Sequence, residues 1–186
     1  MIIAFIGMRG SGKTLSMVKF ISEKYEKGFN IFSNFELKLK ENKKGSVQYL
    51  DKKFFVNYAE SGLDIKNSVV AIDECHVFFD SRNAMLKRNK IFSKFVTQSR
   101  KRSVDLIYTT QDKSPMYFLK SGQVELRLRK LTDMLIFCEC IKSKGHTFIV
   151  NSYCNQYGEL LTKKTFHGDK YFSMYDTDQI IDIDFD

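Results

Sequence analysis

The chain has 186 residues, of which 43% are hydrophobic and 28% charged, which suits one domain around one core and excludes a disordered polymer. Lys and Arg number 30 against 22 Asp and Glu, a formal net charge of +8, which points to a polyanionic partner, nucleic acid first, beside the plainer reading of a basic protein without one. The four cysteines, Cys75, Cys138, Cys140 and Cys154, fit no paired Cys-x-x-Cys zinc pattern and read as reduced core thiols in a reducing compartment.

Ile2–Ile6 is an unbroken apolar run, the pattern of a strand buried on both faces of a parallel sheet. It is too short and too poor in basic residues for a signal peptide. No apolar run in the chain approaches the ~20 residues that span a bilayer, so no membrane segment is expected and the protein is expected to be soluble and intracellular.

Directly after this strand comes Gly7-Met8-Arg9-Gly10-Ser11-Gly12-Lys13-Thr14, which satisfies G-x-x-x-x-G-K-[ST], the phosphate-binding loop. Its glycines let the backbone curl so that N–H groups converge on phosphates, and the helix that begins there adds its N-terminal dipole. Lys13 is the charge for the β- and γ-phosphates, and the Thr14 hydroxyl is a ligand for Mg²⁺. Gly7, Arg9, Gly10, Ser11, Gly12, Lys13, Thr14 and Leu15 form the expected ATP-binding set. An ordinary Gly-rich turn is the competing reading, and the strand before and helix after the loop argue against it.

The helix is predicted over Thr14–Glu26, with Leu15, Val18, Ile21 and Tyr25 on one face and Gly28 as its stop. Phe29–Phe32 reads as a second strand, closed by Ser33-Asn34. Lys38–Lys44 reads as an exposed loop, and Phe54–Ala59 as a short helix.

Ser68–Ile72 is another buried strand and ends in Asp73-Glu74. An Asp at the carboxyl end of such a strand can hold Mg²⁺ opposite the Thr of the loop. Glu74 projects to the other side of the chain and suits a general base for water. A transfer of phosphate to another acceptor needs no such Glu, so the pair favours hydrolysis over an acidic turn or a kinase.

Between Ser81 and Val104 lie Arg82, Lys87, Arg88, Lys90, Lys94, Arg100, Lys101 and Arg102 with no acid. Lys87, Arg88 and Lys90 are the candidate DNA contacts, a charge pattern that tracks phosphates without reading sequence. The same residues also fit a solvated helix face. A helix is predicted over Asn89–Arg102. Val104–Tyr108 is a further strand, followed by Thr109-Thr110-Gln111, and Gln111 offers an amide beside a γ-phosphate. Met134–Ile141, His146–Tyr153 and Glu159–Phe166 read as antiparallel additions joined by turns at Lys142–Gly145 and Asn155–Gly158. The tail is acidic, with Asp176, Asp178, Asp182, Asp184 and Asp186.

Taken together, GMRGSGKT, VVAIDE and IYTTQ resemble the FtsK–HerA superfamily of P-loop ATPases, and most of all its Zot-like and viral DNA-packaging branch. IDECHVFFDSR, QSRKRSVDLIYTTQ and VELRLRKLTD are similar to the segments of that branch that carry the acidic pair, the Gln-ended strand and an Arg. The resemblance covers roughly residues 1 to 140. It implies an α/β fold of the P-loop NTPase class (ASCE-type, RecA-like), a mostly parallel sheet flanked by helices, here followed by C-terminal antiparallel strands, all in one domain over residues 1 to 186.

The resemblance also implies ATP and Mg²⁺ as cofactors, Glu74 and Gln111 in catalysis, and a homo-oligomeric ring of five or six subunits. In such a ring one subunit supplies an arginine to its neighbour's nucleotide, Arg129 by position and Arg127 as the alternative, with Arg100 and Arg102 behind them. The implied function is translocation of double-stranded DNA, most directly genome packaging into a capsid with a capsid or portal-vertex protein as partner. The implied location is the cytoplasm of the host cell, or association with the virion. Typical Zot proteins of filamentous phages carry a membrane-spanning segment and an exported tail, and neither is legible here. Packaging is therefore expected ahead of virion extrusion. A nucleoside or small-molecule kinase and a nucleotide-gated scaffold without turnover are the readings outside translocation.

Overall fold

The computed structural model describes residues 1–40, 44–50, 54, 57, 65–79, 87–99 and 103–176, with backbone alone at 78, 87–90, 93 and 98. All ten residues of the first and fourth strands have essentially no exposure, and those strands lie inside a single eight-stranded sheet. The strands are β1 (Ile2–Ile6), β2 (Asn30–Ser33), β3 (Val47–Tyr49), β4 (Ser68–Ile72), β5 (Val104–Thr110), β6 (Met134–Ser143), β7 (His146–Asn155) and β8 (Leu160–His167). The order across the sheet is β3-β2-β4-β5-β1-β6-β7-β8.

Strands β1 to β6 pair in parallel, and β7 and β8 are added antiparallel. This is the mostly parallel sheet with C-terminal antiparallel strands expected from the sequence. β5 lies between β1 and β4, pairing Ala4 with Tyr108 on one side and Ile72 with Tyr108 on the other. The phosphate loop after β1 and the acidic pair after β4 are therefore separated by one strand, whose end carries Thr109 and Gln111.

Alternate residues of the central strands feed two cores. On one face Ile3, Phe5, Val69, Ala71 and Ile107 pack under α1 (Lys13–Glu26) through Leu15, Val18, Ile21 and Tyr25. On the other face Ile2, Ala4, Ile6, Val70, Leu106 and Tyr108 pack under α3 (Lys87–Ser99) through Phe92, Phe95 and Val96. Phe79, just after the short α2 (Cys75–Phe78), stacks on Phe92 with ring centroids 3.6 Å apart. Two further helices, α4 (Pro115–Ser121) and α5 (Leu126–Leu131), cover the same face through Phe118 and Leu128.

Strand bounds shift slightly from the predicted ones: the second strand begins at Asn30, and the fifth runs on to Thr110. Three elements had no strong pattern in the sequence. β3 is an exposed edge strand of three residues, and α4 and α5 have seven and six. The segment expected as an exposed loop after residue 37 is partly tied down, since Lys38 N donates to Met174 O at 2.7 Å and Leu37 bridges Tyr175. The predicted helix over Phe54–Ala59 falls mostly outside the described residues, as do Arg82, Arg100, Lys101, Arg102 and the tail beyond Asp176. Among the described residues no helix is long and apolar enough to cross a membrane.

Candidate active site

The phosphate loop leaves β1 at Gly7 and enters α1 at Lys13. Gly12 caps α1 in the left-handed region at φ 83, and a Cβ there would lie 2.3 Å from Ile149 Cδ1 of β7. A Cβ on Gly7 would meet the Cys138 carbonyl of β6 at 2.8 Å. The loop is thus a bare-backbone cradle pressed against the antiparallel addition, and only glycine fits at these two positions. Ser11 Oγ is buried in it with no hydrogen-bond partner among the described residues. Lys13 is 5% exposed, and its ammonium donates to Met8 O at 3.0 Å, across the mouth of the loop. A cradle of N–H groups, a buried cation and an unpartnered hydroxyl match the chemistry of a polyphosphate.

Thr14 and Asp73 are brought together. The Thr14 hydroxyl lies 3.3 and 3.2 Å from the two carboxylate oxygens of Asp73. A hydroxyl and a carboxylate at this distance are the hard oxygen pair that Mg²⁺ takes beside phosphates. Asp73 is buried, and burial pushes its carboxyl up to about 6, with Glu74 adding to the rise; hydrogen bonds from Thr109 and Thr14 and the charge of Lys13 oppose it. A carboxyl in this condition gains from a bound divalent cation, which would restore its ionised form.

Two further residues hold Asp73, and neither was singled out from the sequence. Asn34, buried at the end of β2, donates through Nδ2 to Asp73 O at 3.0 Å and accepts from Asp73 N through Oδ1 at 2.7 Å. Thr109, at the end of β5, donates its hydroxyl to Asp73 Oδ1 and accepts from Glu74 N at 2.9 Å. The signal available for both was a small polar residue closing a buried strand.

Glu74 takes a left-handed backbone at φ 50, ψ 45, an uncommon setting for a non-Gly residue. Gln111 Nε2 donates to Glu74 Oε2 at 3.0 Å. The Gln111 carbonyl accepts from Gln123 Nε2 at 3.1 Å. His76 Nδ1 lies 3.5 Å from the same Glu74 oxygen.

A cleft of about 260 Å³ opens at the loop, lined by Arg9, Lys13, Thr14 and Glu74. Gly10, Gly12 and Leu15 complete the loop's share of its wall. The opposite wall comes from the C-terminal part of the chain: Cys140 and Lys142 of β6, Thr147 of β7, and Phe172 and Tyr175 in and after the 3-10 turn Asp169–Met174. Burial pushes the Tyr175 phenol up to about 12, and the nearby Asp73 charge adds to the shift. Of the residues expected for ATP and Mg²⁺, Arg9, Gly10, Gly12, Lys13, Thr14 and Leu15 line this cleft, and Asp73 bonds Thr14 beside it.

Arg129 does not reach that cleft. It is 8% exposed, and its guanidinium donates to Val124 O at 2.9 Å, Phe118 O at 3.0 Å and Leu119 O at 3.1 Å. These bonds lock α4 to α5 inside one subunit. Freeing the Arg129 guanidinium from these three backbone carbonyls would strand them. Arg127, on another face of the same helix, is exposed. Lys87, Arg88 and Lys90 sit in the first turn of α3, on the side of the sheet opposite α1.

The sequence profile of the zonular occludens toxin (Zot) family matches residues 1–129. The chain belongs to the Zot family. Among solved structures, this Zot-family chain is similar to the N-terminal domain of zonular occludens toxin from Neisseria meningitidis, at TM-score 0.62 and 19% identity, over 94% of this chain and 98% of that one. It is also similar to the genome packaging NTPase B204 from Sulfolobus turreted icosahedral virus 2, solved with ATP-gammaS, at TM-score 0.54 and 14% identity, over 88% and 95% of the two chains. The same viral NTPase in complex with AMPPCP aligns at TM-score 0.55. At these identities the likeness is one of fold, the P-loop NTPase fold. No curated protein matches this Zot-family chain.

Proposed function

We propose that this chain is a Mg²⁺-dependent ATPase that moves double-stranded DNA during virus assembly, packaging the genome into a capsid. The observation that carries the reading is the Gln111–Glu74 hydrogen bond beside a complete phosphate loop. A site that only bound nucleotide, or passed phosphate to another acceptor, has no use for a carboxylate oriented in this way.

Lys13 and the loop N–H groups would hold the β- and γ-phosphates, and Thr14 and Asp73 would hold Mg²⁺, which would supply charge neutralisation. Glu74 accepts the proton of the attacking water as the γ-phosphoryl group leaves ADP. Gln111 keeps the Glu74 carboxylate aimed, and Thr109 and Asn34 keep the Asp73–Glu74 turn in place. In a ring of five or six copies, exposed Arg127 is the candidate that reaches the neighbouring subunit's nucleotide. Lys87, Arg88 and Lys90 are candidates for phosphate contacts along DNA. The two proteins of similar fold, a genome packaging NTPase and a Zot domain, support this class of work.

A second reading is favoured by the family profile and by the higher TM-score of the Zot domain: an ATPase that assembles or extrudes virions by acting on a protein–DNA complex. The two readings share the hydrolytic site and differ in partner. ATP turnover by the purified protein, with and without double-stranded DNA and over a range of protein concentrations, tests the proposal. Packaging predicts DNA-stimulated turnover that rises more than linearly with concentration and vanishes in Glu74→Gln. Turnover that ignores DNA but responds to a co-purified virion protein supports the second reading. Normal turnover in Glu74→Gln refutes the catalytic assignment.

A further inference from the structure

Two of the chain's three histidines, His146 and His167, meet Asp169 at the far end of the antiparallel addition. We propose that His146, His167 and Asp169 form a binding site for one divalent transition-metal ion of the Zn²⁺ type, separate from the Mg²⁺ position at the phosphate loop.

Both imidazoles turn Nδ1 toward the same carboxylate oxygen. His146 Nδ1 lies 2.9 Å from Asp169 Oδ2, and His167 Nδ1 lies 3.5 Å from it. The three ligand atoms all fall within 4.8 Å of one another. Zn–N and Zn–O bonds of about 2.0–2.2 Å place the ligand atoms of a tetrahedral ion about 3.3 Å apart. The observed distances straddle that spacing, so small side-chain rotations admit the ion. Two imidazoles and one carboxylate are a donor set for Zn²⁺ and its first-row neighbours rather than for Mg²⁺ or Ca²⁺. Solvent supplies the remaining ligand, since all three side chains are accessible.

The surroundings already hold these groups in place. Thr147 N donates to Asp169 Oδ1 at 2.9 Å, which fixes the carboxylate and leaves Oδ2 facing the imidazoles. This is the outer-shell support that orients a metal-binding carboxylate. Gly168 N donates to Thr147 O at 2.8 Å, so the His167-Gly168-Asp169 turn is fastened to β7. The His167 ring packs edge-on against Phe148 at 4.6 Å and against His146 at 5.1 Å. An ion here would join the start of β7, the end of β8 and the start of the 3-10 turn whose Phe172 lines the nucleotide cleft.

The test is a titration of the full, metal-stripped chain with Zn²⁺ in excess Mg²⁺, read by calorimetry, with Co²⁺ absorption reporting the ligand type. The wild type is expected to bind one equivalent saturably, with an oxygen–nitrogen Co²⁺ spectrum lacking thiolate charge transfer. His146→Gln and Asp169→Asn should each weaken binding by about 10-fold or more, whereas His76→Gln and Cys140→Ser should not. Circular dichroism and thermal melting establish that each variant is folded. Absence of saturable binding in the folded wild type would mean that the cluster is only a hydrogen-bonded His–Asp–His contact, and would overturn the proposal. So would binding that survives both His146→Gln and Asp169→Asn, or that is lost in His76→Gln or Cys140→Ser.

Discussion

Replacing Asp73 by Asn should stabilise the nucleotide-free protein at neutral and alkaline pH. The folded Asp73 carboxyl sits at about 6 against an ordinary 3.8, chiefly because it is buried. A carboxyl raised on folding contributes its full stability below the unfolded value, here about pH 3.8, and loses it as pH rises through 6. The difference, 6 minus 3.8 or about 2.2, corresponds to ~3 kcal/mol of strain carried by the ionised form. Asn removes the ionisation and keeps an oxygen to accept from Thr14 and Thr109. In urea unfolding with EDTA and no nucleotide, Asp73→Asn should therefore exceed the wild type by up to ~3 kcal/mol at pH 8. By the same linkage the advantage should fall to roughly half at pH 5. Saturating Mg²⁺ and ATP-gammaS should reverse the order, because the wild type alone gains binding energy through Asp73. An Asn variant less stable than wild type by the same amount at both pH values would refute the account of Asp73 as a buried carboxyl waiting for a cation.

Glu74→Gln should bind ATP-gammaS as the wild type does yet lower kcat by about 10²–10⁴, the range for a lost general base; Gln111→Leu should lower kcat with less effect on nucleotide affinity. Arg127→Ala and Arg129→Ala should part company. The first should leave the melting temperature of the isolated chain unchanged and reduce turnover of the assembly by about 10³ or more. The second should cost ~2–4 kcal/mol of stability by stranding three carbonyls, and its turnover at low temperature decides whether it has any further role. Gly12→Ala should abolish binding of ATP-gammaS in equilibrium dialysis, because the new Cβ collides with Ile149 in a left-handed backbone; unchanged affinity would show that the loop tolerates another shape.

Much of the site was legible because its chemistry demands rare residues at short spacing. Gly7, Gly12, Lys13 and Thr14 lie within one loop, and Asp73 and Glu74 are neighbours at the end of an apolar run. The central strands were legible for a related reason: burial on both faces leaves no polar alternation in β1 or β4. Asn34 and Thr109 were not, since each is a single small polar residue whose partner lies 39 or 36 positions away. Phe172 and Tyr175 reach the cleft only because the 3-10 turn folds back against α1, which no local pattern announces. Helix phase sets Arg127 and Arg129 apart. In α5 the buried pair is Leu128 and Arg129, so the arginine ranked first by its place along the chain is the one turned inward, while its neighbour faces solvent. β3, α4 and α5 are too short to impose a periodicity.

The phosphate loop is complete by residue 14, yet its shape depends on residues far along the chain. β1 is wedged between β5 and β6, Gly12 rests on Ile149, and Ser16 Oγ bonds Asn151 Oδ1 across 135 positions. During synthesis the loop leaves the ribosome long before its supports exist. A nascent chain stalled after β5 would carry the whole phosphate-loop motif and still be unable to grip a nucleotide. Contacts of such long range also close slowly, so folding of this chain should lag behind its translation, and nucleotide binding should appear only once the fold is complete.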